Sequence, residues 1–230
     1  MNLAIIPARG GSKRIPKKNI KIFNGKPIIY WPIKAAIESK LFDEIIVSTD
    51  DNEIAEIAKN LGASVPFKRP KELSDDYTGI TPVIAHAINW ALKSKIKPDF
   101  ACCICATAPM IDSVDLIKSY NMIKEAKCDY VFSISSYKSS IFRSLQMTAN
   151  GNIKMNYPEN FNKRSQDLPS AFFDAAQFYW GKIESWVDNK KIFDENSKGY
   201  VLPEWKVKDI DTLDDWIYAE IIQKITSSEK

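Results

Sequence analysis

A short apolar run, Leu3-Ala4-Ile5-Ile6-Pro7, leads straight into Ala8-Arg9-Gly10-Gly11-Ser12-Lys13-Arg14, and Lys17-Lys18-Asn19 follows. Paired glycines let backbone N–H groups approach phosphate oxygens closely, while Arg and Lys neutralise charge that would repel an attacking nucleophile. The expected ligand is a nucleoside triphosphate held by residues 8 to 13, with Arg9 and Lys13 as the charge-neutralising groups. The spacing fits neither G-x-x-x-x-G-K-[ST] nor G-x-G-x-x-G, so the usual ATPase and dinucleotide loops are disfavoured.

Near the other end lies Asp209-Ile210-Asp211. In an extended segment residues two apart share a face, so both carboxylates point the same way while Ile210 points into the core. Two hard oxygen donors on one face suit Mg²⁺, which keeps several waters and bridges substrate phosphates. The same pattern also fits Asp211 capping the last helix and Asp209 standing in solvent. Between these ends, the polar loop from Lys68 to Asp76 offers Arg69 to a phosphate or sugar, and Ser74, Asp75 or Thr81 to ribose or base. His86, the only histidine, has no nucleophile motif near it and reads as structural. The basic loop Lys163-Arg164-Ser165-Gln166-Asp167-Leu168-Pro169 is placed to close over an anionic substrate, or to be a solvated turn.

Positioning these residues falls to alternating short apolar runs and longer amphipathic ones, the βαβ rhythm of a mostly parallel sheet wound on both faces. Strands are expected at Leu3 to Pro7, Glu44 to Ser48, Ser64 to Phe67, Phe100 to Cys105, Tyr130 to Ser135, Ala171 to Trp180 and Lys206 to Ile210. Helices are expected over Pro27 to Lys40, Asp51 to Leu61, Ile80 to Lys95, Asp112 to Ala126, and from Thr212. Asp50 or Asp51 caps the second of these, Gly62 ends it, and Thr212 with Asp215 makes a box-like start for the last. Ser144 to Thr148 and Ile153 to Asn156 flank Asn150-Gly151, a tight hairpin turn, so a β-hairpin interrupts the parallel winding. In open parallel sheets ligands bind at the carboxyl ends of strands, where the Arg9 to Asn19 loop sits.

At 230 residues the chain has the size of one α/β domain, residues 1–230. Hydrophobic residues at 45% and charged residues at 27% are ordinary globular composition, which excludes disordered and fibrous classes. All eight cations from Arg9 to Lys34 precede the first acidic residue, Glu38, while the remainder balances its charges. That asymmetry favours a polyanion pocket over nucleic-acid binding. The N-terminus lacks the pattern of a signal peptide or membrane span, so a cytoplasmic enzyme is expected. Cys102, Cys103, Cys105 and Cys128 lack metal-ligand spacing and read as buried small hydrophobes.

Taken together, Ile6-Pro7-Ala8-Arg9-Gly10-Gly11-Ser12-Lys13, Lys18-Asn19, Ile46-Val47-Ser48-Thr49-Asp50, Arg69-Pro70-Lys71-Glu72-Leu73 and Asp209-Ile210-Asp211-Thr212 resemble the CMP-N-acylneuraminate synthetase family, over nearly the whole chain. The resemblance implies a Rossmann-like nucleotidyltransferase fold and attack by a nine-carbon 2-keto-3-deoxy sugar acid on the α-phosphate of CTP. It also implies that Lys18 and Asn19 join the nucleotide site with Arg69 and Thr81, that Asp209 and Asp211 hold Mg²⁺, and that the segment at about 139–169 is the dimerisation element of a homodimer. Two segments depart from the family pattern. Cys105 stands where Leu-Gln-Pro-Thr-Ser-Pro has glutamine, and Ala175-Ala176-Gln177-Phe178-Tyr179 replaces Asn-Gly-Ala-Ile-Tyr. These departures, with Arg164 to Pro169 and Asp174 to Gly181, imply pseudaminic acid as the sugar, contacted by Arg164 and Gln177. N-acetylneuraminate and legionaminate remain alternatives, as does a nucleotide-binding module of the same fold without turnover.

Overall fold

The computed structural model describes residues 1–228, with side chains to residue 226. Six strands form one sheet: β1 (Asn2–Pro7), β4 (Glu44–Ser48), β5 (Phe100–Ile104), β6 (Tyr130–Ser136), β9 (Phe172–Lys182) and β10 (Ser197–Val201), ordered β10-β6-β9-β5-β1-β4. Every neighbouring pair is parallel except those of β9, which runs antiparallel between β5 and β6. A small ribbon of β2 (Ile22–Phe23) and β3 (Lys26–Pro27), and a second of β7 (Leu145–Met147) and β8 (Ile153–Met155), lie outside the sheet.

Near-continuous apolar runs make strands buried on both faces, and the two faces separate by parity. Ala4 and Ile6 of β1 face a core built with α1 (Tyr30–Ser39), α2 (Asn52–Asn60) and α4 (Ser113–Glu125). Leu3 and Ile5 face the other way, against α3 (Ile80–Lys93) and α5 (Ile183–Val187). Fully buried aromatics satisfy their polar atoms: Trp180 Nε1 donates to Ser119 Oγ at 3.1 Å and the Tyr130 hydroxyl to Ser185 O at 2.7 Å. A third, smaller core lies apart from the sheet. There Ile15, Phe23, Ile28, Met110 and Ile210 meet Trp216 and Ala219 of α6 (Leu213–Ser228).

Several expected boundaries moved, each for a local reason. The first helix starts at Tyr30 rather than Pro27, because Pro27 pairs with Ile22 in a hairpin. Its turn is Asn24-Gly25, both left-handed (φ 45° and 79°), which is the primed two-residue turn that Asn-Gly favours. At Asn150-Gly151 only Gly151 is left-handed (φ 80°), so the β7–β8 turn is a three-residue loop closed by Thr148 N to Asn152 O at 2.9 Å. Ser64 to Phe67 contributes a single bridge to Ile46, since Pro66 offers no donor to a ladder. Asp51, not Asp50, caps α2, and Gly62 (φ 92°) closes it.

The last strand is the largest correction. Lys206 to Ile210 is not in the sheet; the edge strand is β10, nine residues earlier. Gly199 permits this pairing, because a Cβ there would lie 2.2 Å from Ile134 Cδ1. Beyond Pro203 the chain turns, and Lys206 is buried with its ammonium on Asp112 Oδ2 (2.9 Å) and Asp115 Oδ2 (2.6 Å) at the start of α4. Ile210 then enters the small third core instead of the sheet. Among the described residues no helix is long and apolar enough to cross a membrane. Cys102, Cys103 and Cys128 are buried and all four cysteines are free, as their apolar surroundings led one to expect.

Candidate active site

The loop leaving β1 is fixed by its backbone before any ligand arrives. Ala8 is buried, and its N–H donates to Ser48 O at 2.9 Å, so the chain stays beside β4 for one residue more. Gly10 N–H donates to Asp50 Oδ1 at 2.9 Å. A Cβ on Gly10 would fall 2.7 Å from Asp51 Oδ2 and 2.9 Å from Asp51 Cβ, whereas one on Gly11 would meet nothing. The two glycines therefore differ: the first is required by close packing on the α2 cap, while the second leaves the loop open. Asn19 is buried and its Nδ2 donates back to Arg9 O at 2.9 Å, closing the loop at its base.

This difference makes an expected result. Gly10→Ala should unfold at lower urea by about 1 kcal/mol, the worth of a helix cap, because Asp51 holds Glu53 N at 2.8 Å and Ile54 N at 3.0 Å. Gly11→Ala should leave the unfolding midpoint in place. Equal midpoints for the two variants would contradict the assignment.

Above the carboxyl ends of β1 and β5 opens a cavity of about 520 Å³. One wall carries Arg9, Ser12, Lys13, Arg14, Lys18, Asn19 and Arg69; the other carries Thr78, Gly79, Ile80 and Val83 from the start of α3, with Cys103 and Cys105 at the floor. Arg9 donates from Nη1 to Asp75 O (2.7 Å) and Asp76 Oδ1 (2.6 Å), and Lys13 pairs with Asp76 Oδ2. Arg14 pairs with Asp211, and Lys18 donates to Ile210 O at 2.7 Å while standing 3.6 Å from Asp211 Oδ1.

Arg69 is the buried cation of the site. Its guanidinium donates to Ser48 O and, at 3.5 Å, to Leu73 O, so it ties the polar loop to the end of β4 instead of standing exposed. Burial lowers its pKa to about 10, with Arg9 adding to the fall and Asp50 opposing it, so it remains a cation at neutral pH.

Across the cavity mouth, Asp209 is exposed and Asp211 partly so, with Ile210 buried between them. The alternation expected of an extended segment thus holds although the segment is no strand. Asp211 is not the helix cap. Thr212 fills that role, its Oγ1 accepting from Asp215 N at 3.1 Å while Asp215 Oδ2 accepts from Thr212 N at 2.9 Å. Among the described residues no group of three or more His, Cys, Asp or Glu could hold a metal. Two carboxylates at the mouth of a phosphate-sized cavity nonetheless fit a hard cation that takes its remaining ligands from water and substrate. At the floor, burial pushes the Cys105 thiol up to about 12, with the carboxylates of Asp174 and Asp209 adding to the rise and Lys18 opposing it.

Three expected contacts are not gathered here. Thr81 lines a separate groove with Asn189 to Phe193 on the far side of α3. Arg164 is exposed on the excursion and forks onto Asp167 through Nε (2.8 Å) and Nη2 (3.0 Å). Gln177 is buried in β9, donating to Ala175 O at 2.7 Å, while its Oε1 meets no donor among the described residues. It lies just beyond Ala176, a left-handed non-glycine (φ 51°) where β9 slips register against β6. Conversely, the expected site did not include Asp76 or the backbone from Thr78 to Gly79. The signal for them was a pair of acids, Asp75-Asp76, in a chain whose first 37 residues are acid-free.

The chain is similar to known proteins over nearly its whole length. A family profile described as cytidylyltransferase matches residues 3–186. The chain is 41% identical over 224 residues to the pseudaminic acid cytidylyltransferase of Campylobacter jejuni, covering 97% of each. It is 34% identical to N-acylneuraminate cytidylyltransferase A of Danio rerio, over 94% of this chain and 49% of that one. In fold it is similar to a CMP:2-keto-3-deoxy-manno-octonic acid synthetase complexed with CTP, with a TM-score of 0.71 at 14% identity, covering 98% of this chain and 99% of that one. A 4-diphosphocytidyl-2C-methyl-D-erythritol synthase from Anaerococcus prevotii gives a TM-score of 0.64 at 14% identity, covering 97% and 98%.

Proposed function

The chain belongs to the cytidylyltransferase family, and from that premise we propose that it transfers CMP from CTP to a nine-carbon nonulosonic acid, specifically pseudaminic acid. The observation that carries the chemistry is the convergence of Arg9, Lys13, Lys18 and Arg69 on one cavity at the carboxyl end of β1, with Asp211 paired to two of the cations that line it, Arg14 and Lys18. The sugar is assigned from the whole-length likeness to the Campylobacter jejuni relative.

In this reading the anomeric hydroxyl attacks the α-phosphorus, the bond to the β-phosphate oxygen breaks, and pyrophosphate leaves. Such transfers are catalysed chiefly by positioning and by charge placed where it develops. Arg9 and Lys13 bind the triphosphate and neutralise the leaving pyrophosphate, while Gly10, Gly11 and Ser12 offer it the loop backbone. Lys18 neutralises phosphate charge beside Asp211, and Asn19 keeps the loop closed through Arg9 O. Arg69, held by Ser48 O, contributes a fixed positive charge behind the phosphates. Asp209 and Asp211 would hold Mg²⁺, which supplies Lewis-acid neutralisation at phosphate oxygens. Gln177 and Arg164 are proposed to contact the sugar, Arg164 after leaving Asp167. Thr81 is read as a nucleotide contact only if α3 shifts.

The working unit is proposed to be a cytoplasmic homodimer of one cytidylyltransferase domain, residues 1–230. Its support is the β7–β8 ribbon. The pairing of Leu145 with Met155 and Met147 with Ile153 puts all four on one face, and Leu145, Met147 and Ile153 are exposed. An apolar ribbon face of this kind is what a partner subunit covers.

The test is pyrophosphate release by the purified chain with CTP and Mg²⁺, offering pseudaminic, legionaminic and N-acetylneuraminic acids separately and confirming the product mass. Turnover with pseudaminic acid at least tenfold above the others is expected, a discrimination of about 1.4 kcal/mol. Release with none of the three from a folded, CTP-binding protein would overturn the catalytic reading.

A further inference from the structure

The cations assigned to the triphosphate are already engaged by a single side chain. Asp76 gives Oδ1 to Arg9 and Oδ2 to Lys13, one carboxylate spread across two cations as a phosphate would be, and it lines the cavity itself. Arg9 Nη1 donates besides to the backbone of the same loop, at the neighbouring Asp75 O. The loop that delivers Asp76 has little else to hold it over the cavity. Tyr77, the next residue, is 95% exposed and packs on no core. Asp75 spends its carboxylate within the loop, accepting from Tyr77 N at 3.0 Å and Thr78 N at 2.7 Å, and Thr78 Oγ1 stays within it too, on Glu72 O at 3.1 Å. Gly79, in extended backbone, then leads into α3 as its N-cap residue.

We propose that Asp76 is a positioning residue that stands in for the nucleotide's phosphates, holding Arg9 and Lys13 in place before the triphosphate binds and giving way when it seats. The proposal rests on reading Arg9 and Lys13 as phosphate ligands. Its physical content is an exchange. Without Asp76 the two cations would repel one another and sample other rotamers. With it they are preorganised, at the cost that binding must first break two ion pairs, and apparent affinity falls by the fraction of molecules in which the loop is released. Displacement is favourable because a triphosphate brings more negative charge and more acceptor oxygens than one carboxylate.

Titration calorimetry on the full chain decides the matter, using inorganic tripolyphosphate and CTP as probes against wild type, Asp76→Asn, Lys13→Met and the double variant. Asparagine keeps the shape and removes the charge, and Asp76→Ser serves as a second replacement if it folds poorly. Because each pair lost is partly exposed, tripolyphosphate and CTP should bind Asp76→Asn about 3–10-fold more tightly, with KM for CTP falling alongside. In the Lys13→Met background the gain should shrink, since one of the two cations that Asp76 occupies is gone; a merely structural loop contact would give the same change in both backgrounds. Unchanged or weaker tripolyphosphate binding in Asp76→Asn overturns the proposal, as does a gain that is equal with and without Lys13. Failure of the CMP-transfer reading would appear separately, as absent turnover with every sugar, while the tripolyphosphate comparison is read independently of it.

Discussion

Asp211→Ala is expected to lose about a thousandfold in kcat/KM, about 4 kcal/mol of transition-state stabilisation, with its unfolding midpoint within a few degrees of wild type. The two halves of that statement come from different links of the argument. Stability changes little because the Arg14 and Lys18 pairs of Asp211 sit at the cavity mouth and are partly exposed, where ion pairs contribute little. Turnover falls because Asp211 is proposed to help hold the Mg²⁺ that would neutralise the phosphate oxygens. Removing Asp211 also releases Arg14 and Lys18, so CTP binding should be retained or tighter. The loss therefore belongs in kcat, and the Mg²⁺ concentration for half-maximal rate should rise. Asp211→Asn, which keeps the shape, should behave alike. Near-normal kcat in either variant would remove the metal role.

The second large effect lies outside the cavity. Lys206→Met should destabilise the fold by about 3 kcal/mol in urea unfolding, since removing one partner of a buried ion pair strands the other. The stranded group is Asp115, 5% exposed, whose remaining contacts are Asp112 N at 3.2 Å and the Tyr200 hydroxyl at 3.3 Å. Burial already raises the Asp115 pKa above the usual carboxylate value, against the lowering by Lys206. The folded state therefore binds a proton that the unfolded chain has released, and stability from this group declines as pH rises through the raised value. In Lys206→Met that slope should steepen, with stability recovering as pH is lowered toward the raised pKa of Asp115. Adding Asp115→Asn removes the buried charge and should restore most of the loss at neutral pH. A double variant no more stable than Lys206→Met would place the effect in packing instead.

Much of this was legible in the sequence because periodicity and spacing are local. The short apolar run Leu3 to Pro7 marked a buried strand, and the glycine pair with its cations marked the phosphate loop without knowledge of any partner strand. Capping chemistry was readable for the same reason, at Thr212 with Asp215 and, to within one residue, at Asp51. What escaped depended on contacts across long separations. Lys206 to Ile210 alternates like a strand, yet Lys206 is drawn to Asp112 and Asp115 and Ile210 to Trp216, some of them over ninety residues away in sequence. β10, with its glycine and exposed Val201, carries a weak apolar signal and exists because it fits against Ile134. The two Asn-Gly turns show the limit at short range as well, since the identical pair takes different conformations according to how many residues its strands leave for the loop. Asp76 was overlooked because nothing in a polar loop says that it folds back sixty residues onto Arg9 and Lys13.

The small third core has a dynamic meaning. Ile15 stands inside the loop that carries Arg14, Ile210 between the two mouth carboxylates, and both pack on Trp216, whose ring meets Phe23 edge-on at 5.3 Å. Having few members and lying outside the sheet, this cluster is expected to open at a lower free energy than the strands, which amide exchange would show as earlier loss of protection in it. The amides of the phosphate loop, of the segment from Ile210 to Thr212 and of the first turn of α6 then exchange with solvent together. The cationic and anionic walls of the site are thus ordered or disordered in common, and whatever steadies one end of the chain steadies the other.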